Sequence, residues 1–177
     1  MVRRLDAIMD ERVTRHNVPG SRAVDEKVEA LSKVVLFKGL ERQHIERLAT
    51  VTDVVAYGQG DHIFREGEPG DRIFAVLDGQ VRISRHIPGI GEEALAILEV
   101  GDHFGEMTLV DDDVRSGDAL AHSDCRLLAI TKTAMQDVMF TDIVIAHEVL
   151  WNLVRTLSDR LRRSNDKMTF LAVTARF

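Results

Sequence analysis

Arg115 and the short run before it are the part of this chain best suited to chemistry. A guanidinium keeps its charge and offers a planar fork of donors, which matches a phosphate bearing two exocyclic oxygens. Upstream lies Glu106, inside Phe104-Gly105-Glu106-Met107-Thr108-Leu109, and Ser116-Gly117 follow the arginine. Gly105 lets the backbone approach a ligand closely. The residues after it, Met107 by its backbone, can open a short helix whose free N–H groups face an anion. Ser116 adds a hydroxyl donor, and Glu106 can accept a ribose hydroxyl. Gly105, Glu106, Met107, Arg115 and Ser116 together supply the parts that a cyclic phosphodiester of a sugar needs.

The plain alternative is a partly buried ion pair between Glu106 and Arg115 that holds a loop. An isolated arginine among apolar strands is costly unless an anion compensates it, so Glu106 is expected to stand in for the ligand while the site is empty. Asp111, Asp112, Asp113 and Asp118 bring four carboxylates close to the proposed anion. Solvent screens those that point outward, and any that point inward weaken the anion's hold.

Metal and nucleophilic chemistry are poorly supplied. His62, His86, His103 and His122 contain no close His-x-His pair with a following carboxylate, so no metal site is expected. No nucleophile, base and orienting group form a triad, and the chain is not expected to be an enzyme or to carry a cofactor. Cys125 is the only cysteine, which excludes an internal disulfide and leaves a small core residue. Trp151 lies at helical spacing and is expected to pack rather than to stack on a base.

Among the 177 residues no apolar run approaches the roughly 20 needed to cross a bilayer, and the start has no signal-peptide stretch. No membrane contact and a cytoplasmic location are expected. The net charge of −6 does not suit a surface that seeks nucleic acid everywhere. Arg155, Arg160, Arg162, Arg163, Lys167 and Arg176 concentrate positive charge near the end, where a solvated helix face is the expected reading.

Leu5, Ile8, Met9 and Val13 suggest a short first helix, and Ser21 can cap a second whose stripe is Val24, Val28, Leu31 and Val35. Residues 43–50 continue helically. The period then becomes two, with strand candidates at 51–57, 62–65, 73–78, 80–86, 93–98, 118–122 and 126–130, separated by Gly and Pro turns. Short strands at this spacing predict a sandwich or barrel. Thr131 can cap a helix through Met139, and a long helix is predicted over 143–168. Ile143, His147, Leu150, Val154, Leu157, Leu161, Ser164 and Met168 alternate steps of four and three along it. That narrow seam fits pairing with a second copy, or docking on the chain's own barrel.

The order Phe-Gly-Glu-x-x-Leu, a variable loop, then Arg-Ser resembles the phosphate-binding cassette of the cyclic nucleotide-binding domain family. That family includes the catabolite activator protein and the regulatory subunits of cyclic-nucleotide-dependent kinases. Gly67-Glu68-Pro69-Gly70-Asp71-Arg72-Ile73-Phe74-Ala75-Val76-Leu77-Asp78-Gly79-Gln80-Val81 is similar to its strand-turn-strand pattern, and Leu36-Phe37-Lys38-Gly39-Leu40 is similar to its opening. The resemblance departs at Val114 and Gly117, where the family commonly has proline and alanine.

The resemblance implies a mainly β fold with flanking α, a double-stranded β-helix or jelly roll with N-terminal helices and a long C-terminal helix. Residues 1–27 are then a helical extension, 28–140 the jelly-roll domain, and 141–177 the C-terminal helix and tail. It implies a cyclic nucleotide sensor whose C-terminal helix moves on binding, closes over the base and makes a homodimer interface. Ser164 and Asn165 match positions that contact adenine, so cAMP is the first expectation; Ser116 stands where members that prefer guanine often carry threonine, which keeps cGMP open. Residues 170–177 resemble the hinge before a DNA-binding domain. No helix-turn-helix fits after it, so direct DNA binding is not expected and a downstream protein partner is. The alternative function is a degenerate jelly-roll interaction module that no longer binds nucleotide.

Overall fold

The computed structural model describes residues 21–111 and 113–174. The short helix expected near Leu5 to Val13 lies outside them. α1 (Ser21–Lys33), a 3-10 turn (Val35–Phe37) and α2 (Arg42–Thr50) precede eight strands: β1 (Thr52–Tyr57), β2 (His62–Phe64), β3 (Arg72–Asp78), β4 (Val81–Ile87), β5 (Gly91–Leu98), β6 (His103–Phe104), β7 (Asp118–Ala121) and β8 (Cys125–Thr131). A second 3-10 turn (Glu106–Leu109) lies between β6 and β7, and α3 (Lys132–Thr141) and α4 (Ile143–Thr174) follow.

Two four-stranded sheets, β1-β8-β3-β6 and β2-β7-β4-β5, face each other, with every pairing antiparallel. This is the expected jelly roll. The period-two alternation along β3 and β8 divides the apolar interior. Phe74, Val76, Leu127 and Ala129 point between the sheets, with Val55, Val81, Phe104 and Cys125. Ile73, Ala75, Leu128 and Ile130 point the other way and are covered by Leu31, Leu36, Ile45, Leu48, Met135, Ile145 and Val149 from the helices. The first sheet is therefore apolar on both faces, and the helices are part of the domain's core. Burial pushes the Cys125 thiol up to about 11, which suits an inert core residue.

The helices depart from their expected faces. Val28 and Leu31 are buried, whereas Val24 is 49% and Val35 46% exposed. Val34 takes the place assigned to Val35, because the helix ends at Lys33 and the chain tightens into the 3-10 turn. Thr131 does cap α3, its hydroxyl accepting from the Ala134 N–H at 3.2 Å. α4 runs past the expected end at residue 168 to Thr174. Its docked face is Ile145, Val149, Asn152 and Leu153, and Asn152 Nδ2 donates to the carbonyls of Leu36 and Lys38 at 3.2 and 2.7 Å. Most of the four-and-three seam faces away from the barrel: Ile143, Leu150, Val154, Leu161 and Met168 are exposed. No described helix is long and apolar enough to cross a membrane.

Gly117 sits buried just before β7, and a Cβ there would lie 2.8 Å from the Ser84 carbonyl oxygen. The glycine is thus a close approach of two backbones rather than a loose point in the strand. Gly117→Ala should destabilise the chain by about 1–3 kcal/mol in denaturant unfolding, because neither backbone can move without breaking ladder bonds.

Candidate functional site

β6 and the 3-10 turn deliver Glu106, and the loop before β7 delivers Arg115. Gly105 joins the first two elements in the left-handed conformation, φ 73°, and a Cβ on it would meet Arg115 Nη1 at 2.6 Å and the Arg72 carbonyl oxygen at 3.1 Å. Only glycine fits both the turn and the guanidinium against it. The Arg115 backbone is fixed on the opposite side: its N–H donates to Glu68 O and its carbonyl accepts from the Gly67 N–H, both at 2.9 Å. Pro69 and Val114 form a bridge beside them. The two motifs seen in the sequence, the Gly67–Asp71 turn and the cassette, are therefore one object.

Arg115 is 4% exposed and Glu106 1%. Arg115 Nη1 donates to Gly105 O at 3.2 Å and Nη2 to Arg72 O at 2.8 Å, while Nε has no partner among the described residues. Burial lowers the guanidinium's pKa from its usual value, and the carboxylates of Asp71, Glu106 and Glu68 oppose that. Ser116 is exposed and its hydroxyl lies 3.8 Å from Met107 Sδ, so these two close the rim of the cassette. All five residues of the expected anion site come together.

The expected Glu106–Arg115 pair does not form. Glu106 Oε1 instead accepts from Nη1 of Arg160, on α4, at 2.5 Å, and Arg160 Nη2 donates to the His103 carbonyl at 3.0 Å. Glu106 Oε2 has no partner among the described residues. Reading the C-terminal arginines as a solvated face missed this contact, though Arg155, Arg162 and Arg163 are exposed as expected. The available signal was that Arg160 precedes Ser164 by one helical turn, on the face expected to meet the ligand. Ser164 and Asn165 are exposed on α4, and none of the described hydrogen bonds joins their side chains to the cassette. Trp151 does not pack into the core; it is half exposed with Arg155 Cζ 5.2 Å above its ring.

Five buried side-chain nitrogens and oxygens lack a partner among the described residues, and two fall in the cassette: Glu106 Oε2 and Arg115 Nε; a third, His103 Nε2, lies on the helix side of β6 with Leu31, Val34 and Ile130. Buried polar atoms are ordinarily satisfied, so a donor and an acceptor left over in one cassette single it out as the candidate site. Two of the four acids near it are turned to backbone donors. Asp113 caps the Val114 N–H at 2.9 Å, a donor that a proline there would lack, and Asp118 accepts from the Glu66 N–H at 2.7 Å. Asp112 lies outside the described residues. A separate cavity of about 390 Å³ is lined by Tyr57, Asp61, Asp78, Asp124 and Arg126. Its three aspartates are spent on the N–H groups of Gly58, Gly79 and Gln59 and hold turns. No group of three or more His, Cys, Asp or Glu is disposed to hold a metal ion among the described residues.

A family model for the cyclic nucleotide-binding domain matches residues 54–142. The chain belongs to this family, as its jelly roll and cassette indicate. It is 32% identical over 146 residues to a CRP-like cAMP-activated global transcriptional regulator of Mycobacterium tuberculosis, a match covering 82% of this chain and 63% of that one. It is 39% identical over 94 residues to a cGMP-dependent protein kinase of Caenorhabditis briggsae, covering 52% of this chain and 13% of the kinase. The solved catabolite activator protein of Thermus thermophilus aligns with a TM-score of 0.68 at 33% identity, over 78% of this chain and 63% of that one. The chain thus spans less than two thirds of the two bacterial regulators.

His103 gives the site a pH signature. It is 3% exposed, and burial first, then the nearby Arg160 charge, hold its pKa below 6.5 against the opposing pull of Glu106 and Asp102. The unfolded chain therefore takes up a proton that the folded one refuses, and stability falls as pH drops through and below 6.5. Thermal melts at about pH 7.5 and about pH 5.5 should show this loss, and His103→Gln should shrink the difference between them.

Proposed function

We propose that the chain senses a cyclic nucleotide, cAMP in preference to cGMP, and reports it through α4. The observation that carries this reading is the pair of orphaned atoms, Arg115 Nε and Glu106 Oε2, buried together in the cassette. A cyclic phosphodiester would supply an anion to the guanidinium and a ribose hydroxyl to the carboxylate. Gly105, Met107 and Ser116 line its phosphate, and Ser164 and Asn165 would meet the base once α4 closes. Both side chains can hydrogen-bond an exocyclic amine, and the match to a cAMP-activated regulator covers 82% of this chain against 52% for the cGMP-dependent kinase, which supports adenine over guanine.

Coupling follows from Arg160. It ties α4 to Glu106 and to the backbone of β6, so a ligand that competes for Glu106 or adds its own charge changes what α4 is bound to. The ligand can shift α4 only by its difference in affinity for the two helix positions. The output passes to a second copy of the chain and to a downstream protein. The exposed seam of Ile143, Leu150, Val154, Leu161 and Met168 is the surface for the second copy.

Calorimetric titration with cAMP should give saturable heat, with cGMP weaker, and Arg115→Ala should reduce affinity at least about a hundredfold, as expected for a lost charge-assisted pair in a buried site. No heat for either nucleotide would support the degenerate interaction module instead. Light scattering should give twice the chain mass, and Leu150→Glu with Val154→Glu should give a monomer that keeps its fold.

A further inference from the structure

Arg115 is a buried cation, and among the described residues no carboxylate forms a salt bridge with it. Its two main-chain acceptors, Gly105 O and Arg72 O, lie at the edge of the guanidinium and satisfy only two of its five donors. One neighbour covers its face. Phe64, at the end of β2, places its ring centroid 4.1 Å from Arg115 Cζ. That ring is itself fixed: Phe74 and Phe104 lie 6.1 and 5.8 Å away in tilted contact, and they stack on each other at 5.3 Å. β2, β3 and β6 thus each contribute one ring, drawn from both sheets.

We propose that Phe64 is a positioning residue for anion binding: its ring holds the Arg115 guanidinium in plane, with no acid bonded to it, so that its free edge donors remain available to a phosphodiester. The negative face of an aromatic ring attracts a cation from above, whereas hydrogen bonds to a guanidinium act within its plane. Ring and anion therefore act on the arginine together and do not compete. An acidic residue in place of the ring would neutralise Arg115 and occupy the edge that the ligand needs. A small aliphatic one would leave the guanidinium free to turn into solvent, and each binding event would have to order it again.

The inference rests on the cyclic nucleotide reading, and the test separates the two. Phe64 is replaced by mono-, di- and trifluorinated phenylalanine, which keep its shape while draining the ring's negative face, and by Phe64→Leu and Phe64→Tyr. cAMP affinity is read by calorimetry, melting temperature by thermal unfolding, and the Arg115 Nε–H resonance by NMR without nucleotide. Affinity should fall stepwise with fluorine to about fivefold below wild type, Phe64→Leu should match the trifluorinated ring, and Phe64→Tyr should stay within about twofold. Melting should barely change across the fluorinated series, and the Nε–H resonance should move stepwise with it.

A role in packing alone predicts loss in Phe64→Leu with no fluorine dependence of affinity or resonance, and that result overturns the inference. If wild type binds no nucleotide but the Nε–H resonance follows fluorination, the ring does hold the arginine and the nucleotide reading is what fails. If wild type binds and the resonance ignores fluorination, the nucleotide reading stands and the role of Phe64 is refuted.

Discussion

The burial of one guanidinium with no acid bonded to it among the described residues organises this molecule. Desolvating Arg115 costs free energy that two carbonyls and the Phe64 ring offset only in part. A chain under no functional demand would put an acid beside it or an apolar residue in its place. Here Glu106 is near enough to act on the arginine electrostatically, yet its carboxylate turns to Arg160. The barrel maintains this arrangement through rigid parts: Gly105 in its left-handed turn, the clamp of Gly67 and Glu68 on the Arg115 backbone, and the three-ring cluster under the cation.

That placement links the site to the helices. β6 carries His103, whose carbonyl accepts from Arg160, and leads through Phe104 and Gly105 to Glu106. Among the described residues α4 is hydrogen-bonded to the rest of the domain at two separated points: through Asn152 to the turn after α1, and through Arg160 to the cassette. The first is buried and neutral. The second is a charge pair whose helical partner is partly exposed. In the proposed coupling, an anion entering the cassette perturbs the second and leaves the first, so the outer half of α4 is the part expected to respond.

Much of this was legible in the sequence, for identifiable reasons. Glycine turns at fixed intervals and alternation in β3 and β8 specify short paired strands, and the cassette residues are close in sequence, so their meeting is nearly local. What escaped was set by tertiary pairing. β6 has two residues and no period to read. The seam on α4 was visible, but which side of the helix docks was decided by Ile145, Val149 and Leu153, interleaved one or two residues away. Arg160 looked like any other arginine of a basic stretch, because its partner is 54 positions distant. Phe64 looked like a strand residue, since nothing local connects it to Arg115.

The most direct measurement is the melting temperature of the purified chain with and without saturating cAMP, in wild type and in Arg115→Gln. Only a ligand that prefers the folded state raises stability, by about 2.7 kcal/mol at a hundred times its dissociation constant. The account predicts a clear rise in wild type that is lost in Arg115→Gln, with 5′-AMP giving little in either. No rise in wild type, or an equal rise in both proteins, would contradict it.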